Sequence, residues 1–92
     1  MDILKTVREL ITALAPGVNT GMLSYSVKKS SQYAADYCNI SGVEYFPIDA
    51  EIYLTEYAAA DYLLENVGFS PRWEKMRKDA ETSLLRFRRV RW

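Results

Sequence analysis

Ile3, Leu4, Val7, Leu10, Ile11 and Leu14 recur at steps of three and four, the spacing that lines one face of a helix. Asp2 can cap this segment, and Pro16 with Gly17 stops it, so the pattern predicts a first helix over residues 2–15. Isolated helices of that length are marginal in water, so the stripe must be buried against the domain or a neighbour. Asn19 or Thr20 can cap a second helix over 20–38, where Leu23, Val27, Ser30, Ala34 and Tyr37 follow at steps of four and three. Ser30, Ser31, Ala34 and Ala35 are small enough to admit another helix closely. Asn39 to Pro47 reads as a loop: Ser41 and Gly42 supply turn chemistry, and Val43, Tyr45 and Phe46 can fold it onto the core or another subunit.

Pro47 disfavours helix in the residue before it, Asp49 can cap, and an unbroken helical pattern then runs to Val67 before Gly68 ends it. In this third helix, 49–67, Ile52, Ala59 and Leu63 lie along one line and Tyr53, Tyr57, Ala60, Leu64 and Val67 along the next. Together they form the broad apolar face of a central helix. Glu51, Thr55, Asp61 and Glu65 fall mostly on the other side. Ser70 before Pro71 starts a fourth helix, 71–88, with a stripe of Trp73, Met76, Ala80, Leu84 and Phe87 and with Leu85 beside it. The expected fold is all-α, one domain of four helices over 1–92, ending in an extended or frayed basic C-terminus.

A chain of 92 residues fits one domain, and 49 % hydrophobic with 26 % charged residues is a globular composition. Formal charge is zero overall yet divided: residues 1–70 carry four positive and nine negative side chains, and residues 71–92 carry eight positive and three negative. That asymmetry suits head-to-tail packing of identical copies, or a basic tail meeting an acidic partner. Asp2, Lys5, Arg8 and Glu9 interrupt the first apolar stretch, against a secretory leader, and no run is long enough to span a bilayer. A reducing cytoplasm is the expected setting.

Histidine is absent, and Cys38 is the single cysteine. The readiest proton shuttle near neutral pH and the commonest nitrogen ligand for metals are therefore missing. A lone thiol can build neither an internal disulfide nor a thiolate zinc site, so Cys38 is expected as a small, half-buried apolar side chain near a helix end. Glu51, Glu56, Asp61 and Glu65 share one helix but lack the histidine that carboxylate-bridged metal bundles use. They read as a solvated acidic face. The expectation is no enzyme, no metal and no cofactor.

Seven tyrosines exceed what a small core can bury with every hydroxyl paired, and tyrosine suits surfaces that are apolar at one end and wet at the other. Tyr25, Tyr33, Tyr45, Phe46, Tyr53 and Tyr62 are the candidates for contacts between subunits. The run Arg86, Phe87, Arg88, Arg89, Val90, Arg91, Trp92 has the composition of a binding anchor and is the candidate docking segment. Its arginines and aromatics would also suit phosphates and bases, giving the alternative of a small nucleic-acid-binding regulator. The zero net charge favours a protein groove instead.

The order of elements then becomes suggestive: a helix ending in Tyr33-Ala34-Ala35-Asp36-Tyr37-Cys38-Asn39-Ile40, a short loop with Pro47, the Ala- and Tyr-rich stretch Ala58-Ala59-Ala60-Asp61-Tyr62-Leu63-Leu64-Glu65-Asn66, and a last helix with Leu84-Leu85-Arg86-Phe87-Arg88. From Asn19 onward this resembles the head-to-tail connector proteins of tailed bacteriophages, also called adaptor or head-completion proteins. The first helix departs from the likeness, being apolar where family members are often acidic. The resemblance implies a virion neck protein, met in the host cytoplasm during assembly. Copies would form a homo-oligomeric ring beneath the portal protein and offer a platform for a tail or stopper protein, with Arg86 to Trp92 meeting the portal. DNA would pass nearby without sequence-specific binding, and no membrane is involved.

Overall fold

The most apolar stretch of the chain becomes its central element. In a computed structural model that describes residues 2–89, helix α3 (Glu51–Asn66) packs against α1 (Leu4–Leu14), α2 (Leu23–Tyr37) and α4 (Pro71–Leu84), its contact with α4 being the most extensive. Ala58, Ala59 and Ala60 are all buried, as are Leu54, Tyr57, Tyr62 and Leu63. Three consecutive alanines let neighbouring backbones approach on several sides, which is how one helix serves three partners. The fold is a single all-α domain of four helices, as expected, with no strand among the described residues.

The helix ends follow local chemistry, with shifts from the predicted bounds. Asp2 Oδ1 accepts the Leu4 N–H at 3.0 Å, but the cap position of α1 falls on Ile3, which makes no side-chain cap. Val7 and Ile11 are completely buried, and the chain leaves past Pro16 with Gly17 in the left-handed region at φ +88°. Asn19 Oδ1 accepts the Gly21 N–H at 2.8 Å and Leu23 N–H bonds Thr20 O at 3.1 Å. That turn delays α2 to Leu23, and neither Asn19 nor Thr20 caps the helix through its side chain.

At the far end of α2, Asn39 turns left-handed at φ +56° and Ile40 N–H reaches back to Ala35 O at 2.8 Å, closing off the terminal carbonyls. Ser26, Ser30, Ser31, Ala34 and Ala35 form a buried run on α2, which packs against α3. Two single 3-10 turns, Val43–Tyr45 and Ile48–Ala50, carry the chain to α3. Asp49 therefore sits inside the second turn and makes no side-chain cap.

Ser70 likewise makes no side-chain cap on α4; its carbonyl accepts from Glu74 N–H at 3.0 Å while Pro71 takes the first helical position. The helix stops at Leu84 and tightens into a 3-10 turn over Leu85–Phe87, short of the predicted 88. Trp73, Ala80 and Leu84 are buried, and Met76 and Phe87 pack partly against the same core.

Helix α3 also corrects the predicted division of its faces. Ile52 and Val67 are exposed, whereas Thr55 is buried and its Oγ1 lies 3.1 Å from Thr6 Oγ1 of α1. A helix enclosed by three others has a buried arc wider than one stripe, so the direction of its apolar face is poorly marked in the sequence.

Candidate interaction surfaces

The six aromatic residues proposed as subunit contacts divide into three groups. Tyr25, Tyr33 and Tyr45 are exposed. Tyr53 is half-buried, lying 6.3 Å from the Phe87 ring with the Arg86 guanidinium 5.7 Å above it. Phe46 and Tyr62, only 5 % and 2 % exposed, are core residues of this chain and have no surface to offer a second copy. Phe46 is held inward by the two 3-10 turns, and the Tyr62 hydroxyl donates to Asn19 O, tying α3 to the turn before α2.

The basic run is anchored at its start. Arg89 N–H donates to Cys38 O at 2.9 Å, Asn39 Nδ2 donates to Arg89 O at 3.1 Å, and Phe87 packs on the core. Arg86, Arg88 and Arg89 nevertheless keep exposed side chains. Val90, Arg91 and Trp92 lie outside the described residues. The left-handed Asn39 makes this anchorage possible, because the same residue that ends α2 turns its amide toward the departing chain.

Cys38 sits where α2 ends, fully buried and not half-buried as expected, because the end of α4 closes over it and brings Leu84 O to 3.3 Å from its Sγ. Burial pushes its thiol pKa up, with the nearby Arg88 charge opposing. A thiol in that state is a poor nucleophile.

Sequence reasoning missed the polar tie at the middle of the bundle. The Asp61 carboxylate accepts from Ser30 Oγ at 2.9 Å and from Arg77 Nη1 at 3.0 Å, joining α2, α3 and α4. Its side chain is 14 % exposed, so it does not belong to a solvated acidic face. Beside it Tyr33 stacks on Tyr57, centroids 6.2 Å apart and planes parallel within 1°, along a cleft of about 250 Å³ that Glu65 and Glu81 also line. Tyr57 has its hydroxyl pKa pushed well above the usual tyrosine value, first by burial and then by the negative charge of Asp61 and Glu81, with Arg77 opposing. Its only advance signal was the 16-residue spacing of Asp61 and Arg77, which is uninformative until the two helices are placed side by side.

A larger and more apolar groove, about 570 Å³, opens between α1 and the start of α3. Leu10, Ile48 and Ile52 form its apolar lining and Asp49, Glu51 and Glu56 its rim. These last two glutamates were expected on the acidic face; here they border a hydrophobic surface. Among the described residues no cluster of three or more potential metal ligands occurs, and no helix is long and apolar enough to cross a membrane. Compared with known proteins, the chain matches no family model, no curated protein and no solved structure.

Proposed function

We propose that this chain is a self-assembling structural protein, and that its place is the head-to-tail connector of a tailed bacteriophage. The observation that carries the first part is the exposure, among the described residues of so small a domain, of ten large apolar side chains, including Met22, Tyr25, Ile48, Ile52 and Phe69. Ile48 and Ile52 share one groove and Met22 and Val67 one hollow, and exposed apolar side chains grouped in this way mark a surface for a protein partner. Support for the connector role comes from the order of helices, the Ala- and Tyr-rich α3, and an arginine-rich end that leaves the domain at a fixed point beside Cys38. In this reading copies close into a ring under the portal, Arg86 to Trp92 meet the portal, and the ring receives a tail or stopper protein. Acidic side chains facing the lumen would let DNA slide without sticking.

The nucleic-acid alternative is less well supported. Formal net charge is zero, where dedicated nucleic-acid domains are strongly basic, and Arg77 is paired with Asp61.

The test is co-expression with a tailed-phage portal protein from the source genome, followed by sedimentation and electron microscopy. Rings of this chain bound to the portal are the expected result. A chain that is folded by circular dichroism yet leaves the portal bare refutes the connector role. Docking is probed by Arg86→Ala with Arg88→Ala rather than by deleting 86–92, because Phe87 packs on the core and deletion would also unseat the end of α4.

A further inference from the structure

Two apolar surfaces lie uncovered at opposite ends of α3. At its start, Ile48 and Ile52 are 78 % and 59 % exposed in the groove against α1. The carboxylates of Asp49, Glu51 and Glu56 border that groove, no basic residue lines it, and none of the three takes part in an ion pair among the described residues. At the other end Val67 and Phe69 are exposed, Phe69 at 76 %, and Met22 shares a hollow with Val67. The first turns of α4 surround Phe69 with charge. Glu74, Lys75, Lys78 and Asp79 share the hollow of Phe69, and Lys75 pairs with Asp79 at 3.4 Å. Arg72, whose guanidinium lies 4.8 Å from the Trp73 ring, and Lys78 are exposed and meet no carboxylate among the described residues. Glu74 is the one opposing charge left there among the described residues, so the corner keeps a small positive excess.

Ile52 and Val67 are separated by the length of α3, about 22 Å at 1.5 Å per residue. One copy therefore cannot cover its own groove with its own far end. Groove against groove, the symmetric alternative, would crowd two sets of three carboxylates together, which is repulsive. Groove against far end sets carboxylates against Arg72 and Lys78 and gives Ile48 and Ile52 the Phe69 ring.

We infer that the α3–α4 corner of one copy docks in the acidic-rimmed groove of the next, with Phe69 as the inserted side chain. Because the two surfaces differ, the contact is heterologous and propagates, closing into a ring or running on as a filament according to the rotation between copies. The inference rests on the self-assembly reading above and is independent of the virion role. It also gives the division of charge along the chain a purpose, since the acidic and basic parts meet across copies.

Oxidative cross-linking of Asp49→Cys and Ser70→Cys variants, at positions that flank Ile48 and Phe69 and leave both side chains in place, tests it, Cys38 being buried and left in place. A chain carrying both substitutions should give a ladder of covalent oligomers. Mixing the two single variants should give dimers only, and each single variant alone should stay monomeric. Adding Glu51→Lys and Glu56→Lys should cut the ladder several-fold, with recovery on further adding Arg72→Glu and Lys78→Glu. Self-linking of a single variant above the level of the mixture, or a ladder no stronger than that of an exposed control pair, Thr12→Cys with Thr82→Cys, overturns the inference. A ladder without portal binding retains this contact and removes the connector role. Portal-bound rings without a ladder do the reverse.

Discussion

Replacing Asp61 with alanine removes a side chain that ties α2 to α4 through α3, and the structure sets the size of the loss. The Ser30 hydroxyl, 2 % exposed, loses the acceptor at 2.9 Å. A buried hydroxyl left unpaired costs about 1–3 kcal/mol. The Arg77 partner at 3.0 Å is 40 % exposed, so solvent screens that pair and its share is about 0.2–1 kcal/mol. Alanine is the better helix former by about 0.5–0.7 kcal/mol, which offsets part of the loss. The expected destabilisation is about 2 kcal/mol, which for a domain of this size lowers Tm by about 10 °C.

Urea unfolding followed by far-ultraviolet circular dichroism reads this directly, provided the slope with denaturant is unchanged. Asp61→Asn keeps an acceptor for Ser30 while losing the charge, so it should cost less than half as much. Ser30→Ala placed on Asp61→Ala should recover most of the Ser30 part, because removing both partners leaves no buried group unpaired. An Asp61→Ala protein within about 0.5 kcal/mol of the wild type, judged against the error of extrapolation, would refute the reasoning. Equal losses for the alanine and asparagine variants would show that charge, and not the hydroxyl, carries the effect.

Leu63→Ala should cost about 2–5 kcal/mol by urea unfolding, since Leu63 is fully buried in the core; a loss under 1 kcal/mol would mean the helices around α3 collapse freely onto the cavity. The Cys38 thiol should resist a disulfide reagent in the native protein and react promptly in urea, and prompt native reaction would contradict its burial. Tyr57 in the fold holds its proton above the ordinary value of 10, so the folded state binds more protons than the unfolded one at alkaline pH. Stability is therefore unaffected below that pH and falls as pH rises past about 10. Tyr57→Phe should flatten that alkaline decline in urea midpoints measured from pH 8 to 11, and an unchanged slope would exclude Tyr57 as its source.

Periodicity alone determined the four helices and their order, because each amphipathic stripe and each Pro or Gly stop is a local signal. It also identified α3 as central, through its unusual density of apolar residues, and the end of α2 near Cys38 and Asn39. What it did not determine was direction. Thr55 and Asp61 were assigned to solvent and Ile52 and Val67 to the core, and the structure exchanges them. Only the placement of α1, α2 and α4 around α3 decides which arc is covered, and that depends on contacts between residues far apart in sequence. The same holds for Phe46 and Tyr62, whose composition suits an interface but whose neighbours in space enclose them. Asp61 became a tie between three helices for one physical reason: packing brought Ser30 and Arg77 within reach of its carboxylate and took most of the water away.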